Sequence, residues 1–390
     1  MARYLFVSWS GAGNQPPAVA IAQALQRRGH HVTFAGYESQ RDYFRTRGFR
    51  FMLLERASAA WRDEPRDRMP AVKLNAVWAS SEHLHDLPDL VCQERCEVLI
   101  VDCLMFGALA ILEKAGIPTA VLVHSAPGAL MPPRGQFEAL LLEPINRVRR
   151  AAGCVEVGSL WEAWARFPAL CTSIRELDPL GSDTPASFSY LGPIFEEVAR
   201  SDWLSPWSAD DLRPLVLVSF STGPYWDQGP RIRKTLEALA HVHCRVLATT
   251  GITNLNEISI PSNAVVARHV LHTVVLPSVS LTVTHAGHGT VAASLRHGVP
   301  MLCLPNPVAD QPILARQVQN LGAGLALEGD TATVGEIRDA AERILTDKSY
   351  SGQARELAVA IDRSPGVLGA VCKLESLAMA GGAERRADEG

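Results

Sequence analysis

Short apolar segments alternate with glycine-rich turns and amphipathic segments along most of the chain. Near the start, the apolar segment Tyr4–Ser8 precedes a glycine- and proline-rich turn, a helical segment at Ala18–Arg28 and a second apolar segment at His31–Ala35. Two strands separated by a helix form a βαβ unit, which requires a parallel sheet covered on both faces. Further strands are predicted at Arg50–Leu54, Val98–Asp102 and Thr119–Val123. The first half of the chain is therefore predicted to be a doubly wound α/β domain.

The segment Ser201–Pro214 is polar, carries two prolines and interrupts this alternation, which is typical of a linker. We therefore predict a first domain over 1–205, a linker over 206–214 and a second domain over 215–366. A last helix is predicted over 367–380, and the charged residues 381–390 are expected to form a disordered tail. Predicted elements of the second domain are strands at 215–219, 244–249 and 264–266, and helices at about 230–242, 272–277, 334–345 and 351–361.

The stretch Ser280–Gly324 is the most informative part of the chain. It reads as a strand at Leu281–Thr284, a small-residue turn at His285–Gly289 and a helix at Thr290–His297, followed by a strand at Met301–Leu304. The first N–H groups of a helix lack internal partners and the helix dipole is positive there, so a strand, a glycine turn and a helix form an anion site. We predict that Gly287 and Gly289 let a ligand approach the backbone closely.

The residues His285-Ala286-Gly287-His288-Gly289-Thr290, followed by Pro305 and by Asp310-Gln311, resemble the donor-sugar signature of family 1 glycosyltransferases of the GT-B fold, particularly bacterial enzymes that act on natural products. This resemblance implies two doubly wound Rossmann-like domains that face each other across a cleft. It also implies inverting transfer of a sugar from UDP or dTDP to a small hydrophobic specialised metabolite, and a C-terminal helix that crosses back to the first domain.

The resemblance also assigns the donor site. In this family the histidine and the glycine-threonine end of the turn hold the diphosphate, the Asp-Gln pair meets the sugar hydroxyls, and a Ser or Thr after the first strand of the domain contacts the diphosphate. Arg268 stands where many members have a tryptophan that stacks on the base, and a guanidinium can also stack there. The implied donor residues are Ser221, Thr222, Arg268, His285, Gly287, His288, Gly289, Thr290, Asp310 and Gln311.

The first glycine loop departs from the family pattern at the expected catalytic base. Most members have a histidine after the second glycine, oriented by an aspartate, whereas Gly13 is followed here by Asn14. An amide has no pKa near neutrality and cannot be a general base. Asp102 matches the orienting aspartate, so the predicted catalytic pair is Asn14 and Asp102. Three explanations of this departure stay open. The acceptor needs little activation, another group such as Asp102 or His124 takes its proton, or the protein is a weak catalyst. Asn14 could also cap the following helix.

The segments 57–96 and 125–164 lack strand signals and are rich in Trp, Leu, Met and Arg. Insertions at the carboxyl edge of such a sheet bind ligands, so we interpret them as acceptor walls, although helices that pack on the core would have the same composition. Trp78 and His124 are the predicted acceptor contacts, and His124 is as readily a structural histidine.

The composition of the chain excludes some classes of binding partner. The formal net charge of −4 does not suit a polyanion, so nucleic acid is not expected. The longest apolar run, Leu104–Leu112, is about half a membrane span, so we expect a cytoplasmic protein with no membrane partner. The eight cysteines form no Cys-x-x-Cys pair and are interpreted as buried thiols. The oligomeric state is left open, including a homodimer.

No cofactor and no metal are expected beyond the nucleotide sugar as co-substrate. Gly11-Ala12-Gly13 lacks the third glycine of a dinucleotide fingerprint. His285 and His288 lack a third ligand at metal-binding spacing, and the family resembles metal-independent enzymes. Two other functions remain open, namely a non-catalytic donor-binding auxiliary protein and a nucleotide-sugar epimerase.

Overall fold

The structure, a computed structural model, describes residues 1–11, 13–63, 74–197, 203–220, 227–251, 253, 259–307 and 309–388. The predicted donor residues Ser221 and Thr222 lie outside these ranges. The chain forms two compact units. The first unit comprises Met1–Ser173, Leu180–Glu197 and Pro365–Gly390, and the second unit comprises Ile174–Pro179 and Val198–Ser364. The chain therefore enters the second unit twice before it returns to the first at Pro365.

A seven-stranded parallel sheet forms the centre of the first unit, in the order β3-β2-β1-β4-β5-β6-β7. The chain winds outward from β1 in both directions, which is the predicted doubly wound arrangement. The strands are β1 (Arg3–Val7), β2 (His31–Gly36), β3 (Arg50–Leu53), β4 (Val98–Asp102), β5 (Thr119–Val123), β6 (Ala169–Cys171) and β7 (Phe188–Tyr190).

Both faces of this sheet are buried, because successive side chains of a strand point to opposite faces. In β1, Leu5 and Val7 join one apolar cluster, whereas Tyr4 and Phe6 join the cluster on the other face. Helices and short turns cover the two faces. The helices are α1 (Gln15–Arg27), α2 (Arg41–Arg45), α3 (Glu55–Asp63), α4 (His83–Glu94), α5 (Phe106–Leu112), α6 (Pro127–Leu130), α7 (Gln136–Ala151) and α8 (Leu160–Ala165), with a π-helical turn at Leu74–Trp78 and a 3₁₀ turn at Glu38–Gln40. A further 3₁₀ turn, Arg175–Leu177, belongs to the second unit.

The predicted acceptor walls are partly core. Trp164 is fully buried and stacks on Phe106 with ring centroids 5.8 Å apart, and Trp161 is also buried. The segment 125–164 therefore packs its tryptophans on the sheet and helix α5. Trp78 is only partly buried, so it differs from these two.

A six-stranded parallel sheet forms the centre of the second unit, in the order β10-β9-β8-β11-β12-β13. Two doubly wound Rossmann-like units are thus present, and the predicted α/β class is confirmed. The strands are β8 (Leu215–Ser219), β9 (Arg245–Thr249), β10 (Ala264–Ala267), β11 (Val279–Thr284), β12 (Met301–Cys303) and β13 (Gly324–Ala326). The helices are α9 (Gly229–Leu239), α10 (His272–Val275), α11 (His288–Arg296), α12 (Gln311–Asn320), α13 (Val334–Thr346) and α14 (Lys348–Asp362), with a 3₁₀ turn at Leu276–Ser278.

The last helix, α15 (Gly366–Asp388), packs on α1 in the first unit. Ala370, Val371 and Leu374 are fully buried in the same apolar cluster as Tyr4. The expected disordered tail at 381–390 is wrong, because α15 continues to Asp388. Ala, Glu and Arg after the glycine pair are strong helix formers, and they extend a helix that has already begun.

Three strands were not predicted. β6, β7 and β13 are each three residues long, too short for an alternating or continuous apolar pattern to identify them. Among the described residues, no helix is both long and apolar enough to cross a membrane.

Candidate functional site

Polar side chains follow three neighbouring strands of the first sheet. Trp9 and Asn14 come after β1, Asp102 ends β4, and His124 directly follows β5. Because β1, β4 and β5 are adjacent and parallel, their carboxyl ends meet at one edge of the sheet. The fold therefore brings these side chains together there.

Asp102 is the centre of this group and is only 4% exposed. Its Oδ1 accepts from Trp9 Nε1 and from the Leu104 amide, each at 3.0 Å. Its Oδ2 accepts from Asn14 Nδ2 at 2.9 Å and lies 3.1 Å from His124 Nδ1. Burial raises the pKa of Asp102, but His124 and the hydrogen-bond donors outweigh burial and lower it. The carboxylate is therefore ionised at neutral pH and rigidly held.

Asn14, the residue at the expected base position, points into the protein. It is 1% exposed, its Nδ2 donates to the Trp9 carbonyl at 3.0 Å as well as to Asp102, and its Oδ1 accepts from Gly11 N at 3.2 Å. Asn14 precedes α1, but its side chain makes no capping hydrogen bond, so the helix-capping interpretation is wrong. Both amide hydrogens are used internally, and the residue ties the glycine loop to Asp102.

His124 shares the Asp102 carboxylate with Asn14. Its Nδ1 lies 3.1 Å from Asp102 Oδ2 and 3.5 Å from Cys103 Sγ. Its side chain keeps 12% of its surface exposed, and within the described ranges Nε2 has no hydrogen-bond partner. Burial by itself lowers the pKa of His124, but Cys103 and Asp102 raise it well above its ordinary value. An Asp–His pair is thus present in the first unit, with its histidine on β5 rather than on the glycine loop.

Trp78, the other predicted acceptor contact, lies beside this group. Its ring packs edge-to-face on Trp9 and on Phe137, with centroids 6.0 Å away in each case. Among the described residues, its buried Nε1 has no hydrogen-bond partner. A buried indole N–H normally finds an acceptor, so Trp78 carries an unused donor next to the Trp9 ring, whose own Nε1 donates to Asp102.

The second unit has its own polar edge, at the predicted anion site. His285 follows β11, and Ala286 has a φ of 62°, a left-handed conformation that alanine rarely adopts. Burial, aided by Arg231, lowers the pKa of His285 to about 4. The imidazole is therefore neutral at physiological pH, and its buried Nδ1 has no hydrogen-bond partner in the part of the chain that the structure describes.

The two glycines of this turn have different roles. A Cβ on Gly287 would lie 2.5 Å from His285 Nε2, so the absence of a side chain at Gly287 makes room for the imidazole. Gly289 is exposed, and a Cβ there would meet no heavy atom within 4 Å, so the space above it is open. His288 opens α11, and the Thr290 amide donates to the Gly287 carbonyl at 3.0 Å. The Thr290 amide is thus used internally, whereas its hydroxyl makes no hydrogen bond within the described part of the chain.

Gln311 is held by a buried polar network that sequence reasoning did not identify. Its Oε1 accepts from the backbone N of Asn306 at 3.1 Å and from Asn306 Nδ2 at 2.8 Å. Asn306 Oδ1 in turn accepts from Arg231 and from Gln228 Nε2. The carboxamide of Gln311 is therefore oriented with its NH₂ group left to donate. The asparagine between Pro305 and Pro307 was the available sequence signal.

Asp310 and Arg268 are the other two predicted donor residues that the structure describes in the second unit. Asp310 precedes α12 and is partly exposed, and its side chain does not cap that helix. Arg268 follows β10, and its side chain is exposed. β8, β11 and β12 are adjacent, so the residues after them share one edge of the second sheet. His285 and Gln311 are both placed at that edge.

One group of potential metal ligands occurs in the described part of the chain, comprising Asp102, Cys103 and His124. His124 Nδ1 already faces Asp102 Oδ2, and burial raises the pKa of the Cys103 thiol, which disfavours the thiolate that a metal requires. The three side chains fit a hydrogen-bonded pair beside a neutral thiol.

All eight cysteines are free, and Cys92 and Cys372 are exposed rather than buried as predicted.

A family model and several known proteins are similar to this chain. A family model described as the C-terminal domain of erythromycin biosynthesis protein CIII-like proteins matches residues 233–377. The chain is 27% identical to 4'-demethylrebeccamycin synthase of Lentzea aerocolonigenes over 96% of this chain and 99% of that protein. It is also 32% identical to UDP-glycosyltransferase 2 of Phaeomoniella chlamydospora. That match covers 49% of this chain and 44% of that protein, so the chain spans less than half the length of this relative.

Solved structures show the same fold. The glycotransferase of kitacinnamycin matches with a TM-score of 0.80 and 21% identity, covering 96% of this chain and 98% of that one. The glycosyltransferase VinC in complex with dTDP matches with a TM-score of 0.72 and 21% identity, covering 97% of this chain and all of that one (100%).

Proposed function

The chain belongs to the natural-product glycosyltransferases of the GT-B fold, and from this premise we propose that it moves a sugar from UDP or dTDP to a small hydrophobic acceptor with inversion at the anomeric carbon. The observation that carries the proposal is the carboxyl edge of the second sheet, because neutral His285, the start of α11 and the oriented Gln311 all follow its adjacent strands β11 and β12. One relative is named for UDP and one structural neighbour holds dTDP, which supports these two nucleotides.

The leaving group of this reaction is a nucleotide diphosphate, and its charge has to be stabilised as the sugar departs. In the proposal the N–H groups and dipole at the start of α11, with the Thr290 hydroxyl, stabilise that charge. His285 contributes as a neutral donor, because its lowered pKa keeps the ring uncharged at physiological pH. These groups would take the place of a divalent metal, so we expect activity to withstand EDTA.

The sugar itself is assigned to Asp310 and Gln311. A carboxylate accepts from hydroxyls, and the free NH₂ of Gln311 donates to one. Because Asn306 fixes the carbonyl of Gln311, its amide group is oriented before the sugar arrives. The first unit, with Trp78 and His124 beside Asp102, is assigned to the acceptor.

Transfer can be tested with UDP-glucose and dTDP-glucose as donors and with 4-methylumbelliferone, benzyl alcohol and aniline as acceptors. Mass spectrometry should detect a conjugate with at least one acceptor, with nucleotide release in proportion. A donor-binding auxiliary protein would bind nucleotide in calorimetry and form no conjugate. An epimerase would accumulate free sugar or epimer without any acceptor.

Site variants test the donor assignment separately. Gln311→Ala removes a neutral hydrogen bond, so we expect donor kcat/KM to fall about tenfold, whereas Asp310→Ala removes a charged one and should cost about 10- to 100-fold. Binding of free UDP or dTDP should change little in both variants. Gln319→Ala is the matched control, because Gln319 lies on the same helix and bonds the Ala326 amide instead. Equal kinetics for all three variants would remove Asp310 and Gln311 from the site.

A further inference from the structure

We propose that His124, held by Asp102, is the catalytic base of this enzyme, so that the Asp–His pair is built between β4 and β5 rather than on the glycine loop. The inference rests on the proposed function, because it concerns the acceptor's proton in that transfer. It names the residue that accepts the acceptor's proton, which Asn14 cannot do.

Asn14 cannot serve, for reasons of both chemistry and position. An amide does not titrate near neutrality. Its two N–H groups are bonded to the Trp9 carbonyl and to Asp102, and it is 1% exposed. Asn14 is therefore a positioning residue that holds the Asp102 carboxylate toward β5.

Asp102 and Cys103 together fix the tautomer of His124. Ionised Asp102 is an acceptor only, and it lies 3.1 Å from Nδ1, so Nδ1 carries the hydrogen. Cys103 Sγ approaches the same nitrogen at 3.5 Å and can accept from it. Nε2 is then the nitrogen that gains and loses a proton, and it has no partner within the described ranges. A histidine with Nδ1–H on a buried carboxylate and Nε2 open has the arrangement of a general base.

His124 also has the access that Asn14 lacks. It follows β5 at the carboxyl edge of the sheet, where ligands bind in doubly wound folds, and 12% of its side chain is exposed. Trp78 lies on the same edge and supplies an aromatic face next to Trp9. The acceptor's reactive atom is placed against Nε2 in this proposal.

The step balances without any further reactant. The acceptor oxygen or nitrogen forms a bond to the anomeric carbon as the bond from that carbon to the diphosphate oxygen breaks and its electron pair leaves with the diphosphate. The acceptor's proton moves to Nε2, and the resulting imidazolium is stabilised by Asp102. Solvent takes the proton after product release.

The pH dependence gives the proposal a signature. Asp102 and Cys103 are the titratable groups that act on His124; burial opposes them, and the pKa of His124 is raised overall. The base form of Nε2 therefore appears only as the pH rises above the ordinary range of histidine. We expect kcat to increase with pH through the neutral and mildly alkaline range.

The test compares wild-type protein with His124→Gln, with UDP-glucose or dTDP-glucose as donor. Glutamine keeps a hydrogen bond to Asp102 but cannot titrate. We expect kcat for benzyl alcohol to fall about 10²- to 10⁴-fold, donor KM and calorimetric binding of UDP or dTDP to stay unchanged, and the pH dependence to disappear. The loss should be smaller for 4-methylumbelliferone, whose phenol is more acidic.

Two further variants keep the test decisive. His31→Gln is the matched control and should behave as wild type, because His31 is exposed and lies at the start of β2, at the opposite edge of the sheet from Asp102. Asp102→Asn should lower kcat and move the rising limb of the pH profile toward lower pH, because the raising charge is gone. A purely structural role for Asp102 would lower activity without moving that limb.

Three outcomes would overturn the inference. An unchanged kcat and pH profile in His124→Gln would exclude His124 as the base while leaving the proposed function intact. Activity lost with EDTA and restored by zinc would replace the hydrogen-bonded pair with a metal site. If wild-type protein forms no conjugate with any of the three acceptors, the proposed function fails and the base assignment fails with it.

Discussion

Replacing Asn14 with aspartate should convert its hydrogen bond to Asp102 into a pH-dependent destabilisation. The variant is nearly isosteric, but it places two carboxylates where Nδ2 and Oδ2 are now 2.9 Å apart. Two charges at that separation repel by about 6 kcal/mol at an effective dielectric constant of about 20. Keeping one carboxyl protonated costs about 1.4 kcal/mol for each pH unit above about 3.9, or about 4 kcal/mol at pH 7. Protonating one of the two carboxyl groups costs less than the repulsion between two carboxylates. The folded variant therefore binds a proton that the unfolded chain does not bind at the same pH.

The sign of the pH dependence follows from that proton. Because the pair's folded pKa is raised, the cost grows as the pH rises, so the variant should lose about 4 kcal/mol relative to wild type at pH 7 but only about 1.5 kcal/mol at pH 5. The imidazole of His124 lies on the same carboxylate and offsets part of the repulsion, so these values are upper limits. Asn14→Ala removes the same hydrogen bonds without adding charge and should cost roughly 2–3 kcal/mol at every pH.

Urea unfolding of wild type, Asn14→Asp and Asn14→Ala at pH 5, 6 and 7 and constant ionic strength measures these differences. The aspartate variant should be the more stable of the two at pH 5, and its advantage should shrink or reverse by pH 7. Parallel pH dependence in both variants would mean that position 14 does not face Asp102. The reasoning about the glycine loop would then be refuted.

Two other predictions concern stability. Desolvation lowers the pKa of His272 and of His285 to about 4, so the folded second unit binds fewer protons than the unfolded chain below about pH 6.5. Each histidine should therefore cost up to about 2 kcal/mol of stability at pH 5. The Tm should fall between pH 7 and pH 5, and His285→Gln should reduce that fall. Leu374→Ala on α15 removes a fully buried side chain and should lower the free energy of unfolding by about 2–5 kcal/mol. Leu368→Ala, on the same helix but 65% exposed, should change it by less than about 0.5 kcal/mol. Similar losses in both variants would show that α15 is not anchored through its buried face.

Much of the fold could be predicted from local pattern. The longer strands are continuous apolar runs bounded by glycine or polar turns, and this pattern alone predicts Asp102 at the end of β4. The turn after β11 was likewise identified, because its glycines and the following helix are consecutive in sequence. β6, β7 and β13 are defined by pairing with neighbours rather than by their own three residues, so they could not be found.

The chemistry within the site depended on contacts between distant residues. Asn14 was identified as a departure from the family pattern, but its inward orientation follows from Trp9 and Asp102, 5 and 88 residues away. His124 was one candidate among several until the adjacency of β4 and β5 placed it on Asp102. Gln311 is bonded to Asn306, and Asn306 is bonded in turn to Gln228 and Arg231, which lie far away in the sequence. The asparagine between two prolines is a local signal, but its partners could not be predicted from it.

The order in which the chain visits its two units has a consequence for biosynthesis. The first unit receives its closing helix only after residue 364, so a nascent chain on the ribosome lacks Leu374 and its neighbours until the whole second unit has been synthesised. The sheet of the second unit, by contrast, lies entirely within one continuous stretch and is synthesised before that helix. The apolar surface of the first unit that α15 covers therefore stays exposed while the second unit is synthesised. We expect chaperones to protect this surface during translation.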